Sequence, residues 1–176
     1  MKVSNKFYKW LARLCMVGII VQIFWLLFIP FYTLFVHGHT WLNKITISVF
    51  SFSSNHISMT PLVQLLSMIQ VLLILFLLYN LLVFFRNLSK GNIFTYSNAN
   101  SIIQCGVLIS IMALFQEIVP IVLAKDIVPY LTYSQGEVAL SFTIPFGYFI
   151  ASIAIITLGI IYKKAVKIAE EQQLTI

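Results

Sequence analysis

Four long runs of apolar residues separated by polar segments organise the chain, from about Leu14 to Phe35, Leu62 to Phe85, Ile102 to Leu123 and Val138 to Tyr162. Each is long enough for a helix to cross a hydrocarbon core of about 30 Å, which takes roughly 20 residues. Helices are the expected form, because lipid offers no hydrogen-bond partner to unpaired backbone. The pattern predicts an all-α polytopic membrane protein, one domain over residues 1–176. Its four transmembrane helices form an up-down-up-down bundle. No internal repeat or linker marks a second domain.

The polar segments refine this picture. The opening MKVSNKFYKWLARLC interleaves Lys2, Lys6, Lys9 and Arg13 with Phe7, Tyr8, Trp10 and Leu11, the pattern of a short amphipathic lead-in at headgroup level. The run after it ends in Pro30, Phe31, Tyr32 and Phe35 rather than at a small-residue cleavage site, so it reads as an uncleaved helix. Between His37 and Pro61, partial alternation over Leu42 to Phe52 permits a short strand or an interfacial segment. Pro61 suits the first turn of the second helix, where a missing N–H costs nothing. In the middle loop, RNLSKGNIFTYSNAN, Gly91 is placed to end the preceding helix in a left-handed conformation. Thr95 or Ser97 can cap the next helix. Pro145 and Gly147 interrupt the fourth run, and in the closing KKAVKIAEEQQLTI the residues Lys163, Ala165, Val166, Ile168 and Ala169 continue the fourth helix into the cytoplasm, with Glu170 and Glu171 at its end.

Composition agrees with lipid as the solvent. Hydrophobic residues make up 60% of the chain and charged residues 9%, well below the roughly 25% usual in soluble domains. A formal net charge of +6 invites a nucleic-acid reading, but the cations sit at the ends of apolar runs, where they face headgroups and set orientation. Lys2, Lys6, Lys9, Arg13, Arg86, Lys90, Lys163, Lys164 and Lys167 fall on one side, against Lys44 and Lys125 on the other. That bias places both termini in the cytoplasm of a multi-pass cell-membrane protein. Cys15 and Cys105 read as small buried hydrophobes rather than a redox pair.

Candidate chemistry is sparse. Glu117 lies well inside the third run, about four turns from its inner end, beside Gln116 and before Pro120. An intramembrane carboxylate is a candidate ligand or proton site; the plainer reading has Glu117 reaching the outer interface to meet Lys125 or water. His37, His39 and His56 share an outer loop, and Asp126 or Glu137 would have to join them to complete a metal set. No metal or other cofactor is expected. Gln64, Gln70, Tyr79, Asn80 and Gln104 suit hydrogen bonds between helices. Catalytic motifs such as His-Glu-x-x-His or Gly-x-Ser-x-Gly are missing from the sequence, and a lone Glu cannot supply nucleophile, base and oxyanion stabiliser together. An enzyme is not expected.

The middle loop reads Gly91, Asn92, Ile93, Phe94, Thr95 and then Asn98, a Gly-x-x-Phe-Thr…Asn signature, and the tail closes on Glu170, Glu171, Gln172, Gln173, Leu174, Thr175 and Ile176. With four spans and this length, the chain resembles the bacterial membrane family catalogued as domain of unknown function 2975. The resemblance covers essentially the whole chain. It implies a signalling role beside a small helix-turn-helix regulator and supplies no catalytic residue. Arg86, Lys90, Gly91, Phe94, Thr95 and Asn98 with Glu170, Glu171, Leu174, Thr175 and Ile176 form a candidate cytoplasmic docking surface, in which Phe94 would pack on Leu174 and Ile176. The expected function is that of a sensor or regulatory partner, its associates being the bilayer, a cytoplasmic regulator and a second copy of itself, with no direct nucleic-acid contact. The alternatives are an immunity or resistance protein against membrane-active peptides and a small oligomeric transporter built on Glu117.

Overall fold

The structure is a computed structural model that describes residues 5–35, 45–47, 50–52, 61–127 and 145–173. Within them lie four long helices, α1 (Asn5–Phe35), α2 (Pro61–Ser89), α3 (Tyr96–Ile127) and α4 (Phe146–Gln173). All four are long and apolar enough to cross a membrane. They pack in chain order, α1 on α2, α2 on α3 and α3 on α4. The up-down-up-down bundle is thus built from successive hairpins. Strands β1 (Ile45–Ile47) and β2 (Phe50–Phe52) pair antiparallel, Ile45 opposite Phe52, inside the segment whose alternation permitted a strand.

Helix limits follow capping chemistry more closely than hydropathy. α1 starts at Asn5, so Lys6, Lys9 and Arg13 of the basic lead-in ride on the same helix as the first span. α4 starts at Phe146, one residue after Pro145, whose carbonyl accepts the Tyr148 N–H at 3.0 Å. Proline has no N–H to lose at such a start, so Pro145 stands just before the first turn of this helix and Gly147 within it. Residues 138–144, expected within the fourth span, lie outside the described residues. At its other end α4 runs past Tyr162 to Gln173, and the stretch from Lys163 onward adds roughly 16 Å.

Burial is inverted relative to a soluble protein. Phe24, Ile20, Leu27, Leu65, Ile150 and Ile153 are all more than half exposed, while the buried positions are mostly small: Ala99, Cys105, Ala113, Ser101 and Ser152. Apolar side chains gain nothing by leaving lipid for a protein core, so helix association rests on close backbone approach and hydrogen bonds. The α3–α4 seam shows both. A Cβ on Gly106 would lie 3.0 Å from the Ser152 carbonyl oxygen, and one on Gly159 would lie 3.0 Å from the Ile103 nitrogen. One turn beyond Gly106 on α3, the Ser110 and Ser152 hydroxyls are 2.5 Å apart. Ser152 gives its proton to the Phe149 carbonyl at 2.9 Å, so Ser110 is the donor in the pair.

Candidate functional site

The basic end of the bundle, where α2 turns into α3 and α4 emerges beside them, carries most of the polar structure. α2 stops in a Schellman cap: the Asn92 N–H returns to the Asn87 carbonyl and the Gly91 N–H to the Leu88 carbonyl, each at 3.1 Å. Gly91 holds φ of +84°, the left-handed geometry that this cap requires. Four residues later Thr95 caps α3, its Oγ1 accepting the Asn98 N–H at 3.3 Å.

Asn98 ties the two caps together. It is fully buried. Its Nδ2 donates to the Asn92 and Ile93 carbonyls, both at 2.8 Å, and its Oδ1 accepts from Asn87 Nδ2 at 2.8 Å. The two carbonyls fix the amide orientation, because a flipped Asn98 would set oxygen against oxygen. The Ile93 carbonyl also receives the Thr95 N–H at 3.2 Å and the phenolic O–H of Tyr162 from α4. The ring of Tyr162 stacks on Phe94, with centroids 5.9 Å apart. Two turns further along α4 the Glu170 carboxylate reaches the Tyr96 phenol, and Val166, midway between these contacts, is fully buried. Three elements are locked into one unit.

These positions give the Gly-x-x-Phe-Thr…Asn pattern a physical content: left-handed cap, stacking ring, helix cap and buried hub. The outward surface is of a different kind. Arg86, Lys90, Lys163, Lys164 and Lys167 are exposed, and so are the apolar Ile93 (50%), Phe94 (58%) and Ile168 (55%). Glu171 pairs with Lys167 at 3.7 Å, an exposed i,i+4 contact of little energetic weight. The loop and tail do meet, but through Tyr162 and Tyr96 on Phe94, Ile93 and Glu170. Leu174, Thr175 and Ile176 lie outside the described residues, as does any packing of Phe94 on them.

The remaining candidates are scattered. Glu117 is half-buried and Gln116 exposed, both toward the far end of α3. His37, His39, His56 and Glu137 lie outside the described residues, among which no group of three or more His, Cys, Asp or Glu is placed to hold a metal. Asn80, buried on α2, donates to the Phe76 carbonyl of its own helix at 2.9 Å, while Ser110 and Ser152 hydrogen-bond across α3 and α4. Cys15 and Cys105 are free and buried. Tyr162, Tyr96 and Asn87 are the site residues that sequence reasoning passed over. Tyr162 carried a signal, a tyrosine closing an apolar run directly before Lys163 and Lys164, where an amphipathic ring is favoured.

Fold and site together define a multi-pass α-helical membrane protein with one end built as a rigid polar unit. No family model, curated protein or solved structure matches the chain.

Proposed function

We propose that this chain is a non-catalytic protein of the cytoplasmic membrane, both termini inside, acting as a sensor or regulatory partner for a soluble helix-turn-helix type regulator. The basic end of the bundle is its docking surface. The observation that carries this reading is the contrast at residues 87–98. The loop's polar groups are consumed internally by Asn98, Thr95 and Gly91, while Ile93 and Phe94 are exposed, as are Arg86 and Lys90 in the same turn between α2 and α3. A loop that only connected two helices would have no need of a buried asparagine to fix its outward face. Exposed apolar side chains rimmed by charge are the usual form of a protein-binding patch. The rigid extension of α4 past Tyr162 gives that patch a second wall.

The test is crosslinking and recovery of the tagged protein from native membranes, comparing wild type with Phe94→Ala, with Arg86→Glu/Lys90→Glu, and with removal of residues 172–176. Recovery of a DNA-binding regulator by wild type, lost in the loop variants at equal membrane level, supports the proposal. Undiminished recovery from all three overturns the docking surface. Protection of a sensitive host by expression alone, dependent on the outer loops, would favour the immunity reading instead.

A further inference from the structure

We infer that the outward face at the start of α1 binds the headgroups of anionic phospholipids. Around these first turns burial is one-sided. Tyr8, Leu11, Ala12, Cys15, Gly18 and Ile19 are buried or half-buried, while Lys6, Lys9 and Arg13 are exposed on the opposite face. Beside the cations stand Phe7 and Trp10, both at least half exposed, with ring centroids 6.4 Å apart in a stacked arrangement. Below them the exposed face continues without a break through Leu14, Val17, Val21 and Phe24. That continuity identifies the occupant. The apolar stripe needs acyl chains, so the molecule covering it brings its headgroup to the level of Trp10 and the three cations.

Depth and charge agree. Lys6 to Arg13 spans about 10 Å of helix, comparable to the headgroup layer outside the hydrocarbon. Lys9 and Arg13 stand on a helix that carries no carboxylate. Cations at a membrane surface each favour anionic lipid by about fivefold, and an indole with a basic neighbour is a good interfacial anchor. This face points away from α2 and does not include the docking surface at residues 86–98, so it stands or falls separately.

The experiment uses the full chain with Trp25→Phe and Trp41→Phe, which leaves Trp10 as the sole tryptophan. It is reconstituted in phosphatidylcholine vesicles containing equal mole fractions of dibrominated phosphatidylglycerol or dibrominated phosphatidylcholine. The two quenchers share acyl chains and differ in headgroup. Quenching of Trp10 severalfold stronger with the glycerol lipid is the expected result. The excess should disappear in Lys6→Gln/Lys9→Gln/Arg13→Gln and persist in Lys6→Arg/Lys9→Arg, which keeps the charge. Equal quenching by both lipids, or an excess that survives the triple substitution, overturns the inference.

Discussion

Replacing Asn98 by alanine removes three side-chain hydrogen bonds at once, and the structure sets what that should cost. The Asn87 amide loses its 2.8 Å acceptor and keeps the longer 3.4 Å contact to Ser97 Oγ, and the Asn92 carbonyl loses its 2.8 Å donor. The Ile93 carbonyl keeps the Thr95 N–H and the Tyr162 hydroxyl, so its loss is the smallest. A typical hydrogen bond contributes about 1 kcal/mol net, and a buried group left unpaired costs about 1–3 kcal/mol. Asn92 is exposed and can turn to water, which holds the total near 2–3 kcal/mol. Asn100→Ala, two residues along on the exposed side of α3, should stay within about 0.5 kcal/mol of wild type. Asn98→Asp keeps the acceptor for Asn87 but sets a carboxylate oxygen against two carbonyls, so it should be no better than alanine. Unfolding by SDS titration in mixed micelles, or steric trapping in bicelles, measures all three. Equal stability of Asn98→Ala and Asn100→Ala would refute the idea that Asn98 holds this end together.

Four further outcomes concern the glycines and Glu117. Gly106→Ala and Gly159→Ala should each cost about 1–3 kcal/mol in the same assay, because the new methyl meets backbone atoms at about 3 Å. Gly147→Ala, which meets nothing within 4 Å, should be neutral or slightly stabilising. Gly91→Ala should cost about 1–2 kcal/mol through its left-handed backbone alone, since the space around it is open, and Gly91→Asn should cost less. Glu117→Gln should leave recovery of a cytoplasmic partner unchanged, whereas loss of an ion or solute flux in this variant would point to the transport alternative.

How much of this was legible in the sequence depended on whether the physics was local. Span number and type came from runs of apolar residues, which need only one segment at a time. Gly91 and Thr95 were readable for the same reason, since a cap is decided within a few residues of chain. The continuation of α4 past Tyr162 was readable too, since Ala165, Val166, Ile168 and Ala169 carry the apolar helical pattern into charged sequence as far as Glu170 and Glu171, and the structure runs it to Gln173. The crossing contacts were least accessible. Ser110 and Ser152 look like isolated small polar residues until two helices are placed in register, and the longer Gln and Asn side chains drew the attention. Asn98 was singled out as part of a surface signature and proved to be its buried support, with Phe94 as the outward element. The meeting of loop and tail was anticipated, but the residues that make it are Tyr162 and Tyr96.

The most direct test of the docking proposal places a photocrosslinking phenylalanine analogue at position 94, and in parallel at position 76 on the exposed face of α2, in living cells. Position 94 should capture a soluble DNA-binding regulator in an adduct that Arg86→Glu/Lys90→Glu abolishes, while position 76 gives none. Adducts at position 94 with only lipid or a second copy of the chain, unchanged by charge reversal, would contradict the proposal.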